Sequence, residues 1–217
     1  MLGYKIARHQ VTKQDPRLVI VTLEIPKDAK TNLHRKNIIN PYKAKYRCNK
    51  AKVLKIEDVK KNKVYHFAYS HYPKKLFYIP GEVTVENNYN EDINVIDGEG
   101  IHFYLDKYVA LYNNVRTIKE GFVERWWPNG NKASECNIID YKKEGLYQEW
   151  NKENHLKSVE CFYKNDKLVG VYKEWWENGQ KRTECNYKDG NLDGLFQRWF
   201  DNGEKWEECT YRDGEKV

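Results

Sequence analysis

The apolar residues of this chain fall in short runs of strand length, and only one segment shows helical spacing. In the first half, Tyr4–Arg8 and Leu18–Ile25 predict strands, and the second run is apolar enough to be central in a sheet. Val53–Ile56 and Val64–Tyr69 predict a pair of strands around Asp58–Lys63. Leu76–Ile79 and Glu82–Val85 flank the turn signal Pro80-Gly81, and Leu105–Tyr112 has the apolar spacing of a short helix.

The second half of the chain repeats one pattern four times. Each copy begins with a glycine, has a tryptophan five residues later and contains a Glu-Cys pair. The starting glycines are 24, 25 and 24 residues apart, which is more regular than composition alone would produce. Each copy has two strand-length runs and predicts a β-hairpin that must stack on its neighbours to bury a core. The copies are GFVERWWPNGNKASECNIIDYKKE, GLYQEWNKENHLKSVECFYKNDKLV, GVYKEWWENGQKRTECNYKDGNLD and GLFQRWFDNGEKWEECTYRDGEKV.

Asn-Gly pairs near the middle of three copies predict the hairpin turns. Those at 129–130, 178–179 and 202–203 favour a type I′ turn, in which both central residues need a positive φ. The second copy has Lys152–His155 instead of the pair and one extra residue, so we expect a lengthened tip there. Gly190 and Gly214, each preceded by aspartate, mark connections between copies.

These patterns predict a mostly-β protein with two domains. Residues 1–113 are expected to form a small, basic, mostly-β (α+β) domain that ends in the short helix. Residues 114–217 are expected to form an elongated antiparallel meander of four stacked β-hairpin repeats. The predicted repeats span 121–144, 145–169, 170–193 and 194–217.

The cysteines predict a reduced, buried ladder rather than a metal site. Equivalent positions in successive hairpins lie two strands apart, roughly 9–10 Å, which is too far for one ion or one disulfide. An odd total and the absence of a CxxC pair also disfavour disulfide and zinc frameworks. We therefore predict no metal and no cofactor. The cysteines are Cys136, Cys161, Cys185 and Cys209 in the repeats, and Cys48.

Aromatic residues lie next to the predicted turns, on the face opposite the tryptophan column of the repeats. Trp127, Trp176 and Phe200 would suit a contact with a protein partner, or they cover the hairpin ends. Alternation alone does not tell which face of the sheet is buried, because aromatic residues occur on both. If the tryptophan column is the buried one, Trp175→Ala should cost roughly 3–5 kcal/mol.

Charge is unevenly distributed along the chain, whose net charge is +6. Residues 27–63 contain thirteen Lys and Arg against three acidic residues. This density suits either a surface that binds the phosphates of nucleic acid or of an anionic membrane, or a solvated face without a ligand. The candidate anion contacts are Arg35, Lys36, Lys43, Lys45, Arg47, Lys50 and Lys52.

Nothing in the sequence indicates catalysis. The chain has no GxSxG, P-loop, HExxH or dinucleotide fingerprint. His66 and His71 would lie on opposite faces of one strand and do not form a ligand pair. His102 is the one histidine that could serve an active site, although a hydrogen-bonded core residue is the simpler interpretation. We predict a protein that is not an enzyme and has no catalytic residue.

The repeated pattern Gly-x-aromatic-x-x-Trp-aromatic-x-Asn-Gly-x-x-Lys, followed by Glu-x-x-Tyr-Lys-x-Gly, resembles MORN-variant repeats over about residues 121–217. The resemblance implies a curved sheet used for protein contact, and in some members for membrane association, with no catalytic residues. The chain departs from it by its cysteines and by the altered second turn. The implied function is a non-enzymatic interaction or structural scaffold with a protein partner.

The first half resembles an uncharacterised domain found beside such repeats in proteins of large DNA viruses. The matching segments are YRCNKAKVLKIE at 46–57 and GEGIHFYLDKYVALY at 98–112, and the resemblance implies no activity. No stretch reaches the ~20 apolar residues of a membrane span, and the N-terminus lacks an apolar signal core. We therefore expect an intracellular protein that is not secreted, in the host cytoplasm or the virion if it is viral.

Overall fold

Backbone hydrogen bonds join the strands into two antiparallel sheets, one of eight strands and one of nine. The computed structural model describes residues 1–10, 17–59, 63–70, 75–113 and 118–217. It divides into an N-terminal unit, Met1–Asn114 with Trp126–Asn131, and a repeat unit, Val115–Arg125 with Lys132–Val217. The mostly-β class, with a β domain before an antiparallel meander, is confirmed. The predicted boundary between residues 113 and 114 meets residues 114–117, which lie outside the described residues, so it stays a prediction.

The N-terminal sheet has the strand order β3-β8-β1-β2-β4-β7, and β5 pairs with both β1 and β6. The apolar second strand lies between two neighbours, as its composition predicts, and Val19, Val21 and Leu23 are fully buried. They pack in one core with Tyr46, Val53 and other apolar residues. The strands are β1 Leu2–His9, β2 Arg17–Glu24, β3 Lys45–Cys48, β4 Lys50–Asp58, β5 Ala68–Ser70, β6 Leu76–Tyr78, β7 Val83–Val85 and β8 Ile101–Tyr104.

The predicted pairing of Val53–Ile56 with Val64–Tyr69 is confirmed at the end next to Asp58–Lys63, where Asp58 N donates to Lys63 O at 2.7 Å, and is wrong beyond it. A bridge joins Glu57 to Val64, and Tyr65 N donates to Ile56 O at 2.9 Å, whereas the strand that follows begins later and pairs with β1 and β6. Val64 is exposed, and Tyr65 is the residue of this segment that packs in the core with Ile56. Part of the connection, residues 60–62, lies outside the described residues. The turn predicted at Pro80-Gly81 is confirmed, since Glu82 N donates to Ile79 O at 3.0 Å.

The helix α1, Lys107–Tyr112, starts two residues later than its apolar spacing predicts. Asp106 explains the start, because its carboxylate accepts hydrogen bonds from the backbone N–H of Tyr108 and Val109. An aspartate in this capping position satisfies donors that the first turn leaves free. Val109 and Ala110 form the buried side of the helix.

The repeat sheet is a meander in which each strand pairs with the next one along the chain. It has a ninth strand, β17, beyond the eight that four hairpins predict. The strands are β9 Gly121–Trp126, β10 Lys132–Ile139, β11 Lys142–Trp150, β12 Lys157–Lys164, β13 Lys167–Trp175, β14 Lys181–Lys188, β15 Asn191–Trp199, β16 Lys205–Arg212 and β17 Glu215–Lys216.

The turns at the Asn-Gly pairs are not of type I′, which corrects the prediction from sequence. Gly179 has a φ of +84°, whereas Asn178 is not among the residues with positive φ. Gly179 N donates to Trp176 O at 2.9 Å, and Trp176 N donates to Gln180 O at 2.8 Å. This is the three-residue hairpin loop in which a tight turn is followed by one left-handed glycine. The asparagine side chain supports the loop, since its Oδ1 accepts from Gln180 N at 3.0 Å.

The turns with two successive positive φ angles occur between the repeats instead. The pairs are Asp140-Tyr141, Asn165-Asp166, Asp189-Gly190 and Asp213-Gly214, with φ from +48° to +94°. This is the backbone that a type I′ turn requires, so the type I′ geometry occurs at these connections and not at the Asn-Gly pairs. The lengthened tip of the second copy is present, and Asn151 N donates across it to Leu156 O at 2.8 Å.

The buried face of the repeat sheet is the one with the cysteines. Tyr147 lies opposite Cys136 on one side and Cys161 on the other, and Phe196 lies opposite Cys185 and Cys209 in the same way. All five thiols of the chain are free. Of the four thiols in the repeats, three are buried and that of Cys209 is partly exposed. Burial among aromatic rings raises the pKa of Cys161 and Cys185 to about 11, so these thiols are protonated at neutral pH.

The tryptophan column is only half-buried, which changes the expected cost of its removal. Trp175→Ala should lower the free energy of unfolding by about 2 kcal/mol, because only part of the side chain leaves an apolar environment. Phe196→Ala, on the cysteine face and only 6% exposed, should cost about 3–4 kcal/mol. Chemical denaturation of both variants checks this order. An equal or larger loss for Trp175→Ala would contradict the assignment of the buried face.

Candidate interaction surface

An apolar row crosses the repeat sheet on the face opposite the cysteines. Every copy has an apolar residue directly after its starting glycine, and the second copy adds Phe162 beside Leu146. Their side chains are 40–53% exposed, although they alternate with residues that are buried or half-buried. Nothing in the described part of the repeat unit covers them, so the fold alone does not account for their apolar character. We call Phe122, Leu146, Phe162, Val171 and Leu195 the apolar row.

A ladder of charged and amide side chains runs beside the apolar row. Glu160 accepts from the Gln148 amide at 2.8 Å and from Lys157 Nζ at 2.5 Å. The same arrangement recurs further along the sheet, where Lys181 pairs with Glu184 at 2.5 Å. These partly exposed pairs contribute little energy each, but they give this face a polar border.

Lysines of one repeat lie over tryptophans of the next. Lys132 Nζ is 5.3 Å from the centre of the Trp150 ring, and Lys181 Nζ is 5.0 Å from that of Trp199. At this distance the ammonium interacts favourably with the face of the ring. The tryptophan column is therefore partly covered by cations, which explains its half-burial.

The three aromatic residues predicted as protein contacts lie in different settings. Trp127 belongs to the N-terminal unit. Trp176 is half-buried, its Nε1 donates to Trp199 O at 3.0 Å, and the Arg182 guanidinium lies 4.4 Å from its ring centre. Phe200 is exposed. Trp176 and Phe200 belong to the repeat unit, and the role of all three residues in binding stays a prediction.

Phe200 stacks on a tryptophan that sequence reasoning did not single out. The ring centres of Phe200 and Trp206 are 5.6 Å apart, and the rings are 46% and 57% exposed. Trp206 follows the lysine that all four copies share, at the position where the other copies have Ala133, Ser158 and Arg182. This difference between the copies could have identified Trp206 from the sequence, because the other copies have a small or polar residue at this position.

Two of the seven basic residues predicted as anion contacts are buried. Arg47 is fully buried and its guanidinium donates to backbone carbonyls. Arg35 is almost fully buried, donates to Lys45 O at 2.5 Å and to Pro128 O, and lies over the Tyr46 ring. Donors that are used on buried carbonyls are not available to a phosphate. The structure therefore assigns both arginines to the architecture of the N-terminal unit.

Three of the predicted lysines are already paired with carboxylates. Lys43 pairs with Asp106 at 2.8 Å, Lys45 with Asp97, and Lys50 with Asp28 at 2.5 Å. Lys36 and Lys52 are exposed. The seven residues do not form one accessible basic surface in the described part of the N-terminal unit, and nothing observed supports binding of nucleic acid or an anionic membrane.

His102 is buried in the N-terminal sheet and lines a polar pocket. Its Nε2 has no hydrogen-bond partner among the described residues. Burial and the nearby Lys45 and Lys5 lower the pKa of His102 to about 3, so its ring is neutral at pH 7. His66 is exposed and His71 lies outside the described residues, so the predicted relation of these two is untested. In the described ranges, no group of three or more His, Cys, Asp or Glu side chains is placed to hold a metal.

The neutral state of His102 predicts a loss of stability in mild acid. The unfolded chain takes up a proton below pH ~6.5 whereas the folded chain does not, so stability falls as the pH drops from about 6.5 toward 3. Between pH 6.5 and 4.5 we expect the wild type to lose about 2 kcal/mol more than His102→Gln. Urea denaturation at several pH values measures the two slopes. Parallel slopes would show that the folded protein accepts the proton on His102.

Comparison with known protein families gives two matches. The model of a family of unknown function, DUF5758, matches residues 1–110. The model of the MORN repeat variant matches residues 168–189 and 192–213. The match to the repeat family suggests a repeat-based interaction or scaffold role, and neither description names an enzymatic activity. No curated protein is similar enough to the chain to count as a match. No described helix has the length and apolar character needed to cross a membrane.

Proposed function

Because the chain belongs to the DUF5758 family of unknown function and has MORN repeat variants in its second half, we propose that it is a non-enzymatic scaffold that binds a protein partner. The partner binds the repeat sheet on the face with the apolar row. The observation that supports this proposal is the exposure of an apolar side chain after the starting glycine of every copy.

Apolar side chains that stay half in water contribute only part of their transfer free energy to folding, so a polar residue would serve the fold equally well. Burial of the row under a partner would release the remainder, about 25 cal/mol per Å² of apolar surface. The adjacent ladder of Gln, Glu and Lys would form the polar border of such an interface and favour one register of binding.

The state of the thiols supports a location inside the cell as part of this proposal. All five cysteines are free, and burial raises the pKa of the four that are buried, Cys48, Cys136, Cys161 and Cys185. A reducing compartment keeps such thiols in this state, so we place the protein inside the cell.

Substitution of Phe162 tests the proposal with little risk to the fold. The first and third copies have asparagine at the equivalent position, Asn137 and Asn186, so Phe162→Asn introduces a residue that the repeat already accepts. The matched control is Thr210→Asn at the same position of the fourth copy. Each tagged chain is recovered after chemical crosslinking in its native source, and co-purified proteins are quantified by mass spectrometry.

We expect at least one protein to be enriched with the wild type and the control, and reduced at least about fivefold with Phe162→Asn. A large effect is reasonable because the exposed Phe162 ring would be a central anchor of the interface. The proposal fails if no protein is enriched above an unrelated tagged chain. It also fails if Phe162→Asn, confirmed as folded by circular dichroism, retains every partner at the level of the control.

A further inference from the structure

The ladder of strand β1 is interrupted on one of its two edges. On one side it pairs with β2 along its whole length, from Leu2 opposite Glu24 to His9 opposite Arg17. On the other side it meets β8 only at Tyr4 and β5 only at Arg8. The residues between these two points therefore border a gap in the sheet, at a place where two neighbouring strands diverge. Divergence of this kind is a common location for small-molecule pockets.

A pocket of about 230 Å³ lies at this gap, within the N-terminal unit. Two amines, an imidazole, a phenol and an amide converge on it from strands β1, β3 and β8 and from the end of helix α1. This volume suits a molecule of a few heavy atoms more than it suits a folded chain or a lipid. Its polar lining residues are Lys5, Lys45, His102, Tyr104 and Asn113.

Lys5 is a buried cation without a counter-ion. The residue is 9% exposed, and its Nζ donates to His102 O at 3.3 Å. No carboxylate of the described residues lies within ion-pair distance of this amine. Burial, with the nearby Lys45, lowers its pKa to about 8, so the amine remains mostly charged at pH 7. An unpaired ammonium in a protein interior is costly, and proteins that retain one usually give it an anionic partner.

The neighbouring groups leave one positive charge to be balanced. The charge of Lys45 is already matched by Asp97. His102 is neutral, and its buried Nε2 lacks a hydrogen-bond partner among the described residues. Tyr104 is protonated, because burial raises its pKa. The pocket therefore combines one uncompensated positive charge with a ring nitrogen that is still able to form a hydrogen bond.

We propose that this pocket binds a small organic monoanion through a carboxylate group, with Lys5 as its counter-charge and His102 as a hydrogen-bond partner. A monoanion matches the single uncompensated charge, whereas a phosphate dianion would introduce a second negative charge that no cation of the pocket balances. The carboxylate would accept hydrogen bonds from the amine and from the ring, which are the charge-assisted bonds such a group forms most strongly. This site is independent of the repeat sheet and of the partner proposed for it.

Nuclear magnetic resonance of the full chain, with acetate as the probe, tests this site. Resonances of the His102 ring and of the Lys5 ε-methylene are followed at pH 7 while acetate replaces chloride at constant ionic strength. We expect saturable shifts at millimolar acetate and at least about tenfold weaker binding in Lys5→Met. The matched control, Lys52→Met, removes an exposed lysine of the same unit and should bind acetate like the wild type. A parallel titration uses sulfate, which is a dianion at pH 7 and should bind at least about tenfold more weakly than acetate.

Three results would overturn the assignment. The first is an absence of saturation up to about 100 mM acetate, which would leave a water-filled pocket. The second is unchanged acetate binding in a folded Lys5→Met variant. The third is sulfate binding as tight as that of acetate, which would contradict the count of charges. If Lys5→Met does not fold, His102→Gln replaces it, and undiminished acetate binding in that variant would equally contradict the site.

Discussion

Arg47→Ala is expected to lower the free energy of unfolding by about 4 kcal/mol, one of the two largest losses we predict for this chain. The guanidinium is fully buried and binds one irregular segment at several points. Its Nε donates to Val95 O at 2.7 Å, and its terminal nitrogens donate to Asn90 O, Asp92 O and, at 3.3 Å, Glu99 O. Alanine would leave these acceptors without a donor in an apolar environment, and each costs about 1–3 kcal/mol if water does not reach it.

Chemical denaturation of Arg47→Ala, Arg47→Lys and Lys52→Ala measures this effect. Lysine retains the charge but not the planar fork of donors, so we expect it to recover less than half of the loss. Lys52 is exposed on the next strand along the chain, and its replacement should change stability by less than about 0.5 kcal/mol. A loss below about 1 kcal/mol for Arg47→Ala would mean that the segment at 90–99 contributes little to the folded state.

Gly130→Ala is expected to cost about 3 kcal/mol or more, whereas Gly203→Ala at the same turn of another repeat should cost about 1 kcal/mol. Both glycines have a positive φ, +91° and +85°, so the backbone strain of the two substitutions is the same. They differ in their surroundings. A Cβ on Gly130 would lie 2.2 Å from the backbone oxygen of Asn40, and one on Gly203 would lie 3.5 Å from the Gln180 side chain.

The difference between the two variants isolates the close approach of Asn40. The backbone atoms at this contact also form hydrogen bonds, since Asn129 O accepts from Ile39 N at 2.9 Å and Asn40 N at 3.3 Å. The two backbone segments cannot separate without the loss of these hydrogen bonds, so relief of the clash itself costs free energy. Thermal and chemical unfolding of both variants provide the comparison. Equal losses would show that the contact with Asn40 opens at little cost.

The repeat architecture was predictable because each copy has the same characteristic residues at the same spacing. The spacing of glycine, tryptophan and Glu-Cys identifies the hairpins even where the second copy changes its tip. The turn type was not predictable from Asn-Gly alone. Asparagine is favoured at both kinds of turn, since in the longer loop its side chain accepts a backbone hydrogen bond while only the glycine needs a positive φ.

The function of the basic segment was not predictable from its charge. A count of Lys and Arg records how many donors exist and says nothing of what they bind. Arg47 alternates with Tyr46 and Cys48 in a buried strand, but its acceptors come from the irregular residues 90–99, which have no periodic pattern. Lys5 was overlooked for a related reason. In the run Tyr4–Arg8 it looks like an ordinary polar strand position, and only the interruption of the β1 ladder shows that it faces a gap.

The buried cysteines provide each repeat with its own reporter of local opening. A thiol that is protonated and covered by aromatic rings reacts with an alkylating reagent only when its hairpin separates from its neighbours. The partly exposed Cys209 should therefore be labelled first, and Cys161 and Cys185 later, as opening proceeds inward from the end of the array. Timed alkylation followed by peptide mass spectrometry would record this order without any substitution. Simultaneous labelling of all repeat cysteines would instead reveal a sheet that opens as one cooperative unit.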